Sequence, residues 1–341
     1  MEFFPHIVRY PPTKGNSEAV TASGDSEAVV MSIACGVDIG TNSFRLLVAE
    51  VEDGHLRPLA QDLVTVRLGE GLGATGRLGP AALMRAEAAL SRFATLMGAY
   101  PVRSVRACAT HAVRKAANRE EFLQPAECRI GVRVEVLSGE EEARLALLGA
   151  LSALPEERRR YPLVLVDVGG GSSEIILQAM AGSEPRVMSL PLGAVGLSED
   201  FDTNYDPMRE KIRAILAPAL RGISHGMTGQ DFLLVASGGT ATSLAALALG
   251  LKRYDAHRVQ NYNLSQAALH GLVARLAALS PGKRNALPGL GDGRGEIIVA
   301  GAMILQELQH SQASPMLVSD AGLLEGILLS GVTGALLQTR H

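Results

Sequence analysis

One short pattern constrains the fold of this chain more than any other, because it occurs twice. Residues 36–50 read GVDIGTNSFRLLVAE, and residues 166–178 read VDVGGGSSEIILQ. Each copy passes from an apolar segment through an aspartate, Asp38 or Asp167, and a glycine turn into a second apolar segment. Such a pattern predicts two strands joined by a tight turn. Two matched copies in one chain predict two lobes of similar construction.

The rest of the sequence alternates predicted strands and helices in both halves of the 341 residues, which indicates an α/β fold with mixed sheets. Residues 111–124 are predicted as one helix that follows a strand. The polar segment 157–162 is the expected boundary between the lobes, and Met31 is a second candidate start of the chain. We therefore expect a flexible tail over residues 1–30, a first lobe over 31–158 and a second lobe over 159–320. A final helix over about 321–341 can pack back on the first lobe.

Composition and charge narrow the class of protein. Hydrophobic residues make up 47% and charged residues 20% of the chain, as in ordinary globular proteins. The net charge of −3 argues against binding to nucleic acid or to a membrane surface, because proteins that do so are usually basic. The sequence also lacks the run of about 18 apolar residues that a spanning helix needs. Three cysteines without Cys-x-x-Cys spacing predict a reducing, cytoplasmic location with neither disulfide nor zinc.

Glycine turns that follow strands are suited to bind phosphate. Their backbone N–H groups form a nest for anionic oxygens, and glycine keeps side-chain atoms away from the ligand. A single hairpin of this kind is usually just a tight turn, but the third glycine turn, in ASGGTATS, favours phosphate binding, and no Walker A pattern is present. The predicted phosphate-binding residues are Gly40, Thr41, Asn42, Ser43, Gly169, Gly170, Gly171, Ser172, Gly238, Gly239 and Thr240.

Further segments occur in an order that indicates a family. They are VRLGEGL, ACATHAVRKAANREEF, VLSGEEEARL, LPLGAVGLSE, LPGLGDGRGEIIVAGAMIL and VSDAGLLEGIL. Together with the two hairpins, they resemble the exopolyphosphatase/guanosine pentaphosphate phosphohydrolase (Ppx/GppA) family in its short, two-domain form, over about residues 33–328. The resemblance implies two RNase H-like, actin-like lobes of mixed sheets flanked by helices, with an active-site cleft between them.

The resemblance also implies roles for individual residues. Glu142, directly before Ala-Arg, stands where the family has its proposed catalytic base, whereas Glu141 fits a capping box that opens a helix. Arg45 and Arg114 are expected to contact phosphate. Mg²⁺ or another divalent cation is the expected cofactor, because Mg²⁺ prefers carboxylates together with phosphate oxygens. Its expected ligands are Asp38, Asp167 and Glu174.

Two positions depart from the family pattern. Gly196 and Leu324 stand where the family carries arginine. If those arginines line the substrate track, their replacement weakens the binding of long anionic chains.

The predicted function is hydrolysis of the terminal phosphate of inorganic polyphosphate. The same chemistry on guanosine pentaphosphate is the nearest alternative, and the sequence separates the two substrates only weakly. An ATP-dependent kinase is a more distant alternative that the ASGGTATS turn supports, and a filament-forming or regulatory protein is a non-enzymatic one. A homodimer is compatible with the sequence, although no interface pattern is recognisable in it.

Overall fold

The computed structural model describes residues 8–9, 32–52, 54–227, 231–291, 293–310 and 315–338. Most of the predicted flexible tail, residues 1–30, lies outside this part of the chain, as does Met31. Within the tail, Val8 and Arg9 form a two-residue strand that pairs antiparallel with Gln61 and Ala60.

The first sheet has six strands, and the hairpin of the first repeated pattern supplies two of them. The strands are β1 (Val8–Arg9), β2 (Ser32–Ile39), β3 (Ser43–Glu52), β4 (His55–Thr65), β5 (Ser104–Ala109) and β6 (Val134–Val136). Their order is β1-β4-β3-β2-β5-β6, with β2, β3 and β4 antiparallel and β5 and β6 parallel to β2. The helices of this half are α1 (Leu72–Thr75), α2 (Pro80–Met97), α3 (His111–Lys115), α4 (Arg119–Ile130), α5 (Gly139–Ala153) and α6 (Glu156–Arg159).

The second sheet repeats this topology. Its strands are β7 (Leu163–Val168), β8 (Ser173–Gln178), β9 (Arg186–Leu190), β10 (Leu233–Ser237), β11 (Tyr262–Leu264) and β12 (Met316–Val318), in the order β11-β12-β10-β7-β8-β9. Again the first three strands are antiparallel, and β10 and β12 run parallel to β7. Its helices are α7 (Ala194–Phe201), α8 (Tyr205–Gly226), α9 (Gly238–Ala248), α10 (Ala256–Val259), α11 (Gln266–Ala277), α12 (Pro281–Asn285) and α13 (Ile298–His310). The chain ends in α14 (Leu323–Gln338).

Each sheet has its own apolar core. In the first lobe, β2, β3 and β5 bury Val37, Phe44 and Leu46 together with residues of α2 and α4. In the second lobe, β7, β8 and β10 form a core with α8, α9, α11 and α13. Two mixed sheets flanked by helices, as the sequence predicts, are therefore confirmed. No helix in the described ranges is long and apolar enough to cross a membrane.

The prediction of one helix over residues 111–124 is wrong, because two short helices occupy this segment. The first ends at Lys115, because the backbone of the next residue, Ala116, is extended (φ −69°, ψ 129°). Asn118 then stands before α4, and its side chain accepts the Leu78 N–H at 2.8 Å and donates to the Leu78 carbonyl at 3.1 Å. This pair of bonds ties the break between the helices to the loop before α2. Such a long-range contact has no signature in local helix periodicity.

Helices α5 and α14 cross between the lobes at very short distance. The first packs on β7, β8 and β9 of the second sheet, and α14 packs on β2, β3 and β5 of the first. A Cβ atom on Gly149 would lie 1.8 Å from the Gly322 carbonyl oxygen, and one on Gly326 would lie 1.9 Å from that of Leu145. The two backbones can approach this closely only because glycines lie at the crossing.

Leu324 lies on the face of α14 that packs on the first sheet. It is buried in an apolar cluster with Ala34, Leu47 and Leu328. Its side chain therefore fills the core and does not line the cleft, so the expectation of a substrate track at this position is not met. Gly196 differs, because it is exposed on α7 and a Cβ there would meet nothing within 4 Å.

Gly149→Ala is expected to lower the free energy of unfolding by about 1–3 kcal/mol, because the added methyl overlaps the backbone of α14. Gly271→Ala is the matched control. Gly271 also lies in a helix, α11, but its Cβ would meet nothing within 4 Å, so alanine should raise stability by about 0.5–1 kcal/mol. Urea unfolding measures both changes. A Gly149→Ala variant as stable as the control would show that the helices do not depend on this close approach.

Candidate active site

The two repeated hairpin turns adopt the same conformation and face each other. The Gly40 N–H donates to the Ser43 carbonyl at 3.2 Å, and the Gly169 N–H donates to the Ser172 carbonyl at 2.9 Å. A Cβ atom on Gly170 would lie only 3.0 Å from the Cβ of Thr41 in the opposite turn. The pattern that occurs twice in the sequence thus forms two opposed walls of one cleft.

The third glycine turn closes the cleft from the side of β10. Gly238 has φ +82°, and a Cβ there would lie 2.4 Å from Asp167 Oδ1. Both the backbone conformation and the lack of space therefore require glycine at this position. Directly before it, the Ser237 hydroxyl donates to Asp167 Oδ2 at 3.0 Å. This turn orients the aspartate of the second hairpin.

The structure brings nearly all of the predicted site residues to this cleft. The cleft-lining residues among them are Asp38, Gly40, Thr41, Asn42, Ser43, Arg45, Glu142, Asp167, Gly169, Gly170, Gly171, Ser172, Gly238, Gly239 and Thr240. The other two, Arg114 and Glu174, lie behind Glu142 rather than in the lining. Several lining residues were not predicted, among them His111 and Arg294.

Asp38 is a buried carboxylate with an unsatisfied oxygen. The Arg45 Nε donates to its Oδ2 at 3.0 Å, while Oδ1 has no hydrogen-bond partner in the part of the chain that the structure describes. Burial raises the pKa of Asp38, the charge of Arg45 lowers it, and the nearby Asp167 raises it further. Burial also raises the pKa of Asp167. Two desolvated carboxylates with a free oxygen form an environment that a cation would stabilise.

These residues fit a divalent cation that is completed by its substrate. Within the described ranges, no three His, Cys, Asp or Glu side chains are grouped so that they could hold a metal ion by themselves. Mg²⁺, however, is commonly bound through one or two carboxylates plus phosphate oxygens and water. Asp38 and Asp167 provide such a pair beside the glycine turns. Glu174 is further back, where its Oε1 accepts the Ser189 hydroxyl at 2.9 Å.

Glu142 lies in the first turn of α5 and is held by Arg114. The Arg114 Nη1 donates to Glu142 Oε2 at 3.1 Å and also to the Leu137 carbonyl. Burial and the charge of Glu174 raise the pKa of Glu142 well above the usual range for glutamate, and Arg114 lowers it in part. The arginine predicted to contact phosphate thus also contacts the predicted base, and its contact with phosphate stays a prediction. Its neighbour Glu141 forms the predicted capping box with Ser138, which is confirmed.

Glu174 is a buried glutamate that links Glu142 to Asp167. Burial and then the charge of Asp167 raise its pKa to about 7, against the stabilising hydroxyls of Ser189 and Ser172. It in turn raises the pKa of Glu142. The cleft therefore contains a chain of interacting carboxylates, Asp167, Glu174 and Glu142.

Arg294 is a cation in the cleft that sequence reasoning missed. Its Nη1 donates to the Ser243 hydroxyl at 3.2 Å, and it forms no ion pair with a described residue. It packs over the third glycine turn, where a Cβ on Gly239 would lie 2.0 Å from Nη1. Burial and the charge of Arg45 lower its pKa to about 10, so it stays protonated at neutral pH. As the arginine within LPGLGDGRGEIIV, it had a motif signal that could have identified it.

His111 was also missed, and it contacts the second hairpin across the cleft. A Cβ on Gly171 would lie 2.3 Å from the His111 Cδ2, so the ring lies directly over this glycine. Burial and the charges of Arg114 and Lys115 lower the pKa of His111 to about 4. The ring is therefore neutral at physiological pH and does not add positive charge to the cleft.

Polar contacts hold the lobes together at the rim of the cleft. The Arg67 Nη2 donates to Glu296 Oε1 at 2.9 Å, and the Gly71 N–H donates to Glu199 Oε1 at 2.9 Å. Both bonds join the loop after β4 to the second lobe. The structure therefore shows the cleft with its lobes in contact.

One family model and several curated proteins are similar in sequence to this chain. Residues 47–334 match the model of the Ppx/GppA phosphatase family. The chain is 32% identical over 326 residues to Exopolyphosphatase 2 of Mycobacterium tuberculosis, and the match covers 89% of this chain and 99% of that protein. It is 26% identical over 314 residues to a bifunctional 3-dehydroquinate synthase/phosphatase of Fusobacterium nucleatum, of which the match covers 46%.

Solved structures with the same fold cover nearly the whole chain. A Ppx/GppA family member from Aquifex aeolicus superposes with a TM-score of 0.71 at 29% identity, covering 91% of this chain and 99% of its own. An exopolyphosphatase from Cytophaga hutchinsonii superposes with a TM-score of 0.79 at 25% identity, covering 89% and 98%. Both lobes and the cleft between them are therefore shared with these proteins.

The raised pKa of Glu174 predicts how stability depends on pH. Because the folded state holds this proton up to about pH 7, it binds more protons than the unfolded state above pH 4.5, and stability falls as pH rises through this window. Glu174→Gln removes this dependence on pH, because glutamine does not titrate. The free energy of unfolding of the variant minus that of the wild type should therefore grow by about 1–3 kcal/mol as the pH rises from 4.5 to 8 without divalent cations.

Denaturant titrations across this pH range measure the difference. Glu184→Gln is the control, because Glu184 is exposed and its one ion pair with a described residue is that with Arg144. A Glu174→Gln curve parallel to the wild type would contradict the raised pKa.

Proposed function

Since the chain belongs to the Ppx/GppA phosphatase family, we propose that it removes the terminal phosphate of inorganic polyphosphate by attack of water. Membership confirms the resemblance drawn from the motifs and the enzyme class, a phosphoanhydride hydrolase. The observation that carries the substrate proposal is the opposition of two glycine turns, 40–43 and 169–172, across a cleft that also contains Glu142. A cytoplasmic location and a homodimer stay predictions.

The glycine turns bind the end of the phosphate chain in this proposal. Backbone N–H groups and the hydroxyls of Thr41, Ser43, Ser172 and Thr240 donate to phosphate oxygens from both lobes. Arg294 adds a charge-assisted contact, since its guanidinium forms no ion pair with a described residue and lies over Gly239 in the cleft. Binding from opposite walls aligns the terminal phosphorus for attack.

Glu142 is the proposed general base. Its raised pKa makes its carboxylate a stronger base than an ordinary glutamate, and the bond from Arg114 fixes its orientation. The carboxylate accepts a proton from a water molecule while the water oxygen bonds to the terminal phosphorus. The bridging P–O bond breaks, and the products are orthophosphate and a chain that is one phosphate shorter.

Asp38 and Asp167 would hold Mg²⁺ or another divalent cation, with Glu174 as an outer carboxylate. The observation that supports this role is Asp38 Oδ1, which is buried and has no hydrogen-bond partner among the described residues. Such a cation, when bound, offsets the negative charge of the phosphates and of the leaving oxygen. The carboxylates themselves anchor the two hairpin turns, through Arg45 in one lobe and Ser237 in the other.

Glu142→Gln is expected to lower phosphate release from polyphosphate by about 10²–10⁴-fold, because the amide cannot accept the proton of the attacking water. Glu141→Gln is the matched control: it changes the adjacent glutamate, which caps the helix and is exposed. This variant should keep its activity. The assay compares polyphosphate, guanosine pentaphosphate and ATP at equal terminal-phosphate concentration with Mg²⁺.

The substrate pattern of the wild type decides between the candidate functions. Preference for guanosine pentaphosphate would keep the mechanism and change the substrate, whereas turnover of ATP with an acceptor would favour a kinase. Full activity of Glu142→Gln on polyphosphate would refute the assignment of the base.

Arg294→Gln is expected to raise KM for polyphosphate by about 10–100-fold, the effect of losing one charge-assisted hydrogen bond to phosphate. Arg275→Gln removes an exposed charge on α11 and should leave KM unchanged. Steady-state kinetics on both variants measures the effect. An unchanged KM in Arg294→Gln would exclude contact between this residue and substrate.

A further inference from the structure

The segment of residues 252–258, which reads KRYDAHR, carries free positive charge. Lys252, Arg253 and Arg258 are exposed, and none forms an ion pair with a residue that the structure describes. Many arginines elsewhere are paired with glutamates. The one carboxylate of the segment, Asp255, accepts the Arg258 backbone N–H at 3.3 Å as the cap of α10. In a protein with a net charge of −3, such a cluster of cations without ion pairs to described residues is suited to bind an anionic partner.

Tyr254 connects this segment to the cleft. Its hydroxyl donates to Asp320 Oδ1, two residues after β12 ends. This is the edge of the second sheet from which Asp167 and Ser237 enter the cleft, because β7, β10 and β12 are parallel. Gln260 strengthens the attachment, since its Oε1 accepts the Asp320 N–H at 2.8 Å. These hydrogen bonds therefore attach the segment to the rim of the cleft.

Arg294 continues the positive charge from the rim into the cleft. It lies over Gly239 on one side, and on the other it is close enough to Asp320, the acceptor of the Tyr254 hydroxyl, for the charge of that carboxylate to act on it. His257 in turn acts on Asp320 from the side of the segment. An anionic chain that leaves the third glycine turn past Arg294 therefore meets the exposed cations of residues 252–258.

We propose that residues 252–258 bind the part of a long polyphosphate chain that extends out of the cleft, through Lys252, Arg253 and Arg258. The inference rests on the proposed function and adds to it a preference for long chains. Phosphates bound here are remote from the reacting phosphorus, so they are held equally in the ground state and the transition state. Such binding lowers KM and leaves kcat unchanged. A short chain ends inside the cleft and gains nothing from the segment.

The test compares long-chain polyphosphate with tripolyphosphate on the Lys252→Ala/Arg253→Ala/Arg258→Ala variant. We expect KM for the long chain to rise about tenfold or more with kcat unchanged, and KM for tripolyphosphate to stay within about twofold. The salt dependence of long-chain binding should also weaken, by a slope of about two for three lost phosphate contacts. The matched control is Arg186→Ala/Arg221→Ala/Arg275→Ala, which removes three exposed arginines that do not line the cleft and form no ion pair with a described residue.

Each outcome decides the inference. An equal rise in KM for both chain lengths, or an equal rise in the control variant, would overturn it. The charges would then contribute to folding or to non-specific electrostatic attraction rather than to a binding site for long chains. A loss confined to guanosine pentaphosphate would overturn it in favour of a nucleotide site at Tyr254. Direct binding of both chain lengths to the same variants is measured in parallel. If the wild type released no phosphate from polyphosphate, the proposed function would fail, and the binding data alone would decide whether the segment holds long chains.

Discussion

The close crossing of α5 and α14 is the constraint on which the site depends. The chain leaves the first sheet after β6, and α5 then packs on the second sheet, so Glu142 in its first turn comes to lie beside Glu174 of β8. In the opposite direction, α14 starts at the edge of the second sheet and packs on the first. A wider crossing, such as a larger residue at Gly149 would impose, would shift α5 along the surface that carries it. The position of the candidate base is thus set by backbone contact between two glycine-bearing helices beside the second hairpin, since a Cβ on Gly322 would lie 3.8 Å from Asp167 Oδ2.

The electrostatics of the cleft are unfavourable without a ligand. Asp38, Asp167, Glu142 and Glu174 are all desolvated, and burial raises the pKa of each. Arg45 and Arg114 offset part of this cost. Each is ion-paired with one carboxylate, Asp38 or Glu142, and the charge of Arg45 also lowers the pKa of Asp167, as that of Arg114 lowers the pKa of Glu174. Buried carboxylates of this kind are costly to ionise, and a divalent cation with an anionic substrate would supply the missing partners. Asp38 Oδ1, which has no hydrogen-bond partner among the described residues, is the most direct sign of this unfavourable arrangement.

Local features of the site could be predicted from the sequence, whereas its long-range pairings could not. The hairpin turns, the third glycine turn and the capping box at Ser138 each lie within a few residues, and their residue types determine their conformation. The pairing of Arg114 with Glu142 joins residues from two elements that meet only through the tertiary fold. Sequence pattern also could not show that Leu324 points into a core, because an apolar helix such as α14 has no polar stripe to orient it. Arg294 was missed for the related reason that it precedes its helix, where periodicity gives no information.

A protein of net negative charge needs local groups that attract a polyanion, and cations left unpaired are one kind of such group. In this fold the pairing is selective: Arg209 and Arg213 on α8 share Glu307, and Arg106 is bonded to Glu135, so these arginines support the structure. Arg294 has only a hydroxyl partner among the described residues, and it lies in the cleft. The cations of residues 252–258 likewise form no ion pair with a described residue, and they are exposed and close together in sequence at the rim. Unpaired charge costs little where water reaches it and more where it is buried, so an anionic chain gains most from Arg294 and least from the rim. Under the proposed function, this gradient would hold a polyphosphate chain firmly at its reacting end and loosely outside the cleft.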